Sequence, residues 1–167
     1  MSVRKPLILY FSVFPSADKF TQKLACQIAA LTEGDLLEIE PEKTYPDDYD
    51  ALEALTKAEQ DADERPVIRN VIDISAYDTI FIGYPIWWYT LPQILFTLFD
   101  QLDFDGKIII PFNTHEGSRD AGTYRLIQTL APGATVLEGL AVRGMDMNVD
   151  QSETIRNWLE KIGYADL

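Results

Sequence analysis

Three short stretches of the chain concentrate side chains able to bind or transform a small molecule. The first is Ser12-Val13-Phe14-Pro15-Ser16-Ala17-Asp18-Lys19-Phe20-Thr21, a hydroxyl-bearing loop that runs into a helix-period pattern. Hydroxyls beside a helix N-terminus suit an anion, because the first N–H groups of a helix lack partners and carry roughly half a positive charge. The same residues also fit an ordinary turn in which Ser16 or Thr21 caps the helix. The second stretch, Tyr84-Pro85-Ile86-Trp87-Trp88-Tyr89-Thr90-Leu91-Pro92, holds two of the chain's three tryptophans. Each large apolar side chain left wet forgoes about 1.5–3 kcal/mol. These aromatics should therefore cover either the domain's own edge or a flat ligand. The third stretch runs from Asn113 through Thr114, His115, Glu116, Gly117 and Ser118 to Gly122, and is rich in hydrogen-bonding groups. His115, the only histidine, stands beside Glu116 as a general acid or base would. A loop histidine bonding its own backbone has the same signature, and we favour that reading.

Such residues need elements to hold them. Leu7–Phe11 is a continuous apolar run with β-branched and aromatic members, the pattern of a strand buried on both faces. Phe20, Leu24, Ile28 and Leu31 follow at helical steps, with Gly34 closing that helix. Leu36–Glu40 reads as a second strand ended by Pro41. Tyr45-Pro46-Asp47-Asp48-Tyr49 places turn chemistry and acids ahead of a helical stripe of Leu52, Leu55, Ala58 and Ala62. Ile80–Tyr84 is strand three, Lys107–Phe112 strand four and Val136–Val142 strand five. Helical stripes at Leu95–Leu102, Tyr124–Leu130 and Ile155–Ile162 lie between and after them. Strands that alternate with helices predict an α/β three-layer sandwich around a parallel sheet. Periodicity does not order the strands. In both common doubly wound orders, ligands bind beyond the C-terminal strand ends, and all three stretches fall there.

The 167 residues fit one domain spanning 1–167, large enough to bury roughly 70% of its unfolded surface. Cys26 is the only cysteine, so no internal disulfide exists, and with one histidine there is no cluster of soft metal ligands. The apolar run after Lys5 is short and reads as a strand rather than a signal peptide. No apolar stretch nears the roughly 18 residues of a membrane helix. A cytoplasmic protein is expected. Lys plus Arg number 14 against 27 Asp plus Glu, a formal charge of −13. That surface repels nucleic acid and anionic lipid. It favours encounter with a basic protein patch, or simply keeps the chain soluble.

Read together, Leu9-Tyr10-Phe11-Ser12, Glu38–Pro41, Tyr45–Asp50, Tyr77–Trp88, Ile110–Ser118, Pro132–Thr135 and Gly139-Leu140 resemble the flavodoxin family, in its short bacterial branch. The resemblance spans nearly the whole chain. It implies a five-stranded sheet in 2-1-3-4-5 order that binds flavin mononucleotide (FMN) non-covalently. It also implies an electron carrier or small flavin-dependent reductase, with a redox partner protein or small acceptor. Pro85, Ile86, Trp87 and Trp88 would line the isoalloxazine ring, and Thr114, His115, Glu116, Gly117 and Ser118 would wrap its other edge with backbone donors. The flavin carries the chemistry, so no catalytic residue is assigned.

One departure stands out. The family's phosphate loop resembles Ser/Thr-x-Thr-Gly-x-Thr, with four residues between its outer hydroxyls. Ser12 and Thr21 have eight between them and no glycine. A second register places the motif at Ser16-Ala17-Asp18-Lys19-Phe20-Thr21. On that register Lys19 and Thr21 support the phosphate, and Asp18 must point away. Two like unit charges about 4 Å apart repel by about 4 kcal/mol at an effective dielectric of about 20. The departure also admits an alternative: a flavodoxin-fold interaction module that has lost tight FMN binding.

Overall fold

The computed structural model describes residues 4–13 and 19–167. Ser16 and Asp18 lie outside the described residues. In chain order the elements are β1 (Leu7–Tyr10), α1 (Phe20–Thr32), β2 (Asp35–Glu38), α2 (Tyr49–Asp61), β3 (Thr79–Pro85), α3 (Gln93–Gln101) and β4 (Ile108–His115). They are followed by α4 (Thr123–Leu130), β5 (Thr135–Val136), β6 (Leu140–Arg143), a 3-10 turn (Gly144–Asn148) and α5 (Ser152–Lys161). The sheet is parallel in the order β2-β1-β3-β4-β5, with β6 also paired to β4.

Alternation along the strands builds two cores. Leu7, Leu9 and Phe11 of the first strand segment, with Ile80, Ile82 and Tyr84 of β3, face Leu52 of α2, Leu95 and Leu98 of α3, and Ile127 of α4. Ile8, Tyr10, Phe81, Ile110 and Phe112 face Leu24 and Ile28 of α1 and Ile155 and Trp158 of α5. This is the three-layer sandwich expected from strands apolar on both faces.

Three local expectations are corrected. The fifth strand is two pieces, β5 and β6, rather than one run over 136–142. Leu137 donates its N–H to the Ile109 carbonyl, as Thr135 does to that of Lys107. By two-residue alternation Pro111 faces the same neighbour, where it has no N–H to give, and the ladder breaks there. Second, β4 continues through His115. Asn113, Thr114 and His115 are strand residues paired with Ala141, Val142 and Arg143. They tolerate a buried strand because their polar groups are satisfied: the Asn113 amide donates to the Arg119 carbonyl and accepts from the Tyr124 hydroxyl. Third, α1 ends on Glu33 in the left-handed conformation rather than on Gly34. Gly34 serves close approach instead, since a Cβ there would run into Ile8 and Pro6.

Candidate functional site

The C-terminal ends of β1, β3 and β4 open onto a cavity of about 550 Å³. On the β1 side, Ser12 is buried and its Oγ accepts the Gln22 N–H at 3.2 Å. Ser12 thus caps the first turn of α1 from across the loop. Lys19 holds the N-cap position but makes no side-chain cap bond, and its side chain is exposed. The N–H groups of Phe20 and Thr21 begin the helix and have no carbonyl within it to bond. Thr21 is buried, its Oγ1 2.8 Å from that of Thr114.

On the β3 side, Pro85 ends the strand and Ile86 N–H donates to the Thr114 carbonyl at 3.0 Å. Trp87 and Thr90 exchange both backbone hydrogen bonds, so Trp88 and Tyr89 are the centre of a two-residue turn. Both sit at positive φ, 51° and 63°. Such turns ordinarily take Asn and Gly there, because a side chain in this region costs about 1–2 kcal/mol. Helix α2 holds the turn. Trp88 Nε1 donates to Thr56 Oγ1 at 3.1 Å, Gln60 donates to the Trp88 carbonyl, and Lys57 Nζ lies 5.5 Å from the Trp88 ring centre. The neighbouring Trp87 packs edge-on to Phe11 at 5.4 Å and tilted to Tyr45 at 5.8 Å. Trp87 therefore belongs both to the cavity wall and to the margin of the core.

On the β4 side, Gly117 N–H donates to His115 Nδ1 at 2.9 Å, which leaves the ring proton on Nε2. That backbone donor is thus already engaged. Burial pushes the His115 pKa below its ordinary value; Arg143 and Arg119 add to the effect, against Glu116 and Asp146. His115 is neutral at pH 7, as the backbone-bonding reading requires. Gly144, at the start of the 3-10 turn, touches this wall: a Cβ on it would collide with Phe20 and Glu116.

The cavity lining gathers Ser12, Phe20, Thr21, Pro85, Ile86, Trp87, Trp88, Thr114, His115, Glu116, Gly117 and Ser118 from the candidate residues. Lys19 is not among them, and Ser16 lies outside the described residues. The lining adds Val13, Tyr89 and four residues of α2, namely Tyr49, Leu52, Glu53 and Thr56. The α2 residues were not legible as site residues. Leu52 reads as core, and nothing local marks Thr56 as the partner of a tryptophan 32 positions away. Hydroxyls and a helix N-terminus lie at one end, and aromatic and apolar surface lies along another side. That arrangement suits a flat aromatic molecule carrying an anionic group. Among the described residues there is no group of three or more potential metal ligands, and no helix is long and apolar enough to cross a membrane.

A family model described as flavodoxin matches residues 5–162. A protein from Bacteroides eggerthii assigned as a flavoprotein is 30% identical over 95% of this chain and 98% of its own, with a TM-score of 0.81. A second such protein, from Bacteroides uniformis, is 31% identical over 93% of this chain and 97% of its own, with a TM-score of 0.76. A Lactobacillus acidophilus flavoprotein in complex with FMN is 24% identical over 92% of this chain and 98% of its own, with a TM-score of 0.70. At that identity the likeness is one of fold. No curated protein matches the chain.

Proposed function

Because the chain belongs to the flavodoxin family, we propose that it holds FMN in this cavity and works as a redox protein, an electron carrier or a small flavin-dependent reductase. The observation that carries the reading is the pairing, in one cavity, of a hydroxyl-lined helix N-terminus with an aromatic wall. Bound FMN supplies electron or hydride transfer. Ser12, Thr21 and the first N–H groups of α1 hold its phosphate. Pro85, Ile86, Trp87 and Trp88 orient the ring and exclude water, while Thr114 to Ser118 close the opposite edge. The carboxylates of Glu53 and Glu116 also line the cavity. Negative charge in the cavity wall disfavours added negative charge on the ring and so lowers its reduction potential. Surface charge farther away than a Debye length of about 8 Å is screened and contributes little there. It acts instead on encounter with a basic partner protein.

One observation favours the second reading, an interaction module without tight FMN binding. Among the described residues no Lys or Arg lines the cavity, and Lys19 stands outside it. Titrating the apo-protein with FMN, riboflavin and FAD, followed by flavin fluorescence, decides between the two. FMN should bind tightest. Equal affinity for riboflavin would remove the phosphate site and favour the second reading, and absence of any flavin binding would refute the first. Mixing the FMN form with NADH or NADPH then separates a reductase, whose flavin absorbance bleaches, from a carrier, whose absorbance persists.

A further inference from the structure

We propose that Tyr45 and Glu59 are positioning residues for the ring side of the cavity, holding Trp87 through a hydrogen bond buried behind it. The proposal rests on the flavin reading above. Glu59 is 1% exposed, a rare situation for a carboxylate. Its partners are Lys43 Nζ at 3.0 Å and the Tyr45 hydroxyl at 3.2 Å. Lys43 also reaches Glu64 at 2.9 Å, so its charge is met at the surface without Glu59. The Tyr45 ring lies 5.8 Å from Trp87 and 6.1 Å from Phe11, closing a triangle of rings. Only Trp87 of the three lines the cavity.

The three rings are held differently. Phe11 N–H donates to the Gly83 carbonyl in continuation of the β1–β3 pairing, and the Trp87 backbone is tied by its exchange with Thr90, which leaves the indole to be held by its neighbours. Tyr45 sits in the irregular segment between β2 and α2. Its ring is therefore set by packing and by the bond to Glu59. Burial, with Glu59 beside it, pushes the phenol well above its usual value, so the proton stays on Tyr45 and the bond persists across neutral pH. Apolar residues of similar volume would fill this space without a buried ion, often with no loss of stability. What they would not supply is direction. A hydrogen bond fixes the plane and tilt of the ring, and that ring is the surface behind Trp87.

Two variants test this. Tyr45→Phe keeps the ring and deletes the donor. The double variant Tyr45→Phe/Glu59→Leu also deletes the carboxylate, leaving Lys43 with Glu64. Each is measured by thermal midpoint, by near-ultraviolet circular dichroism of the apo-protein, and by affinity for FMN and riboflavin. Tyr45→Phe should lower the midpoint, flatten the tryptophan signal and weaken both flavins by the same factor, about tenfold. The double variant should regain the midpoint but neither the tryptophan signal nor the affinity. Should Tyr45→Phe not fold, the double variant alone carries the comparison. Wild-type affinity and tryptophan signal in either variant, or affinity that returns together with stability, would overturn the proposal. If the wild-type protein binds no flavin, the function proposed above fails, while the apo tryptophan signal still decides whether Tyr45 and Glu59 hold Trp87.

Discussion

Thr21 and Thr114 stand 93 positions apart and share a hydrogen bond, their Oγ1 atoms 2.8 Å apart between two buried side chains. The bond fastens the first turn of α1 to the end of β4, so the hydroxyl end of the cavity and its opposite edge are built as one piece. A buried hydroxyl that loses its partner costs about 1–3 kcal/mol, whereas removing both partners together is nearly neutral. Thr114→Val should therefore destabilise the apo-protein by that amount in urea unfolding, and Thr21→Val/Thr114→Val by less than the sum of the single changes. Thr21→Val should weaken FMN more than riboflavin. Additive costs in the cycle would show that the two hydroxyls are not coupled.

His115, as the only histidine, gives a single titration to follow by nuclear magnetic resonance. Its folded pKa lies below the ordinary 6.5, chiefly through burial. As pH falls below about 6.5 the unfolded chain takes up this proton more readily than the folded one. The stability contributed by neutral His115 is thus complete above that pH and is lost as pH falls towards the depressed folded value. The resonance should titrate with a midpoint below 6.5 and show the Nε2–H tautomer. Arg143→Gln, by removing a nearby positive charge, should raise that midpoint. A midpoint at or above 6.5 in the wild-type protein contradicts the assignment.

The parts of the fold legible in the sequence are those where burial alone dictates residue type. Leu7–Tyr10 and Ile80–Tyr84 are buried on both sides and show it as continuous runs free of charged residues. The break between β5 and β6 is not of that kind. It depends on which neighbour the missing N–H of Pro111 faces, a fact of register and not of composition. The site divides the same way. Aromatics and hydroxyls at the strand ends declare themselves locally. The capping of Gln22 by Ser12 crosses ten positions, and the grip of Thr56 on Trp88 spans 32, so only the folded chain reveals them.

The turn at Trp88 and Tyr89 yields the prediction in which stability and binding part company. Trp88 is tied to α2 through Thr56 and Gln60, so its strained backbone is compensated by its side-chain and carbonyl bonds. Tyr89 is at φ 63° and 78% exposed, so little burial of its ring offsets the strain. It does line the mouth of the cavity. Strain held at an exposed aromatic beside a binding site is expected where the residue serves the ligand rather than the fold. Tyr89→Gly removes about 1–2 kcal/mol of strain, and glycine's added chain entropy takes back about 0.5–1 kcal/mol. The net gain is about 0 to 1.5 kcal/mol, a rise of at most about 6 °C in Tm for a domain of this size. The same change should weaken FMN and riboflavin alike, because it acts at the ring and not at the phosphate. Tyr89→Phe should leave both properties at wild-type level. A Tyr89→Gly protein that is more stable and binds flavin unchanged would show that the strained turn serves something other than the ligand in this cavity.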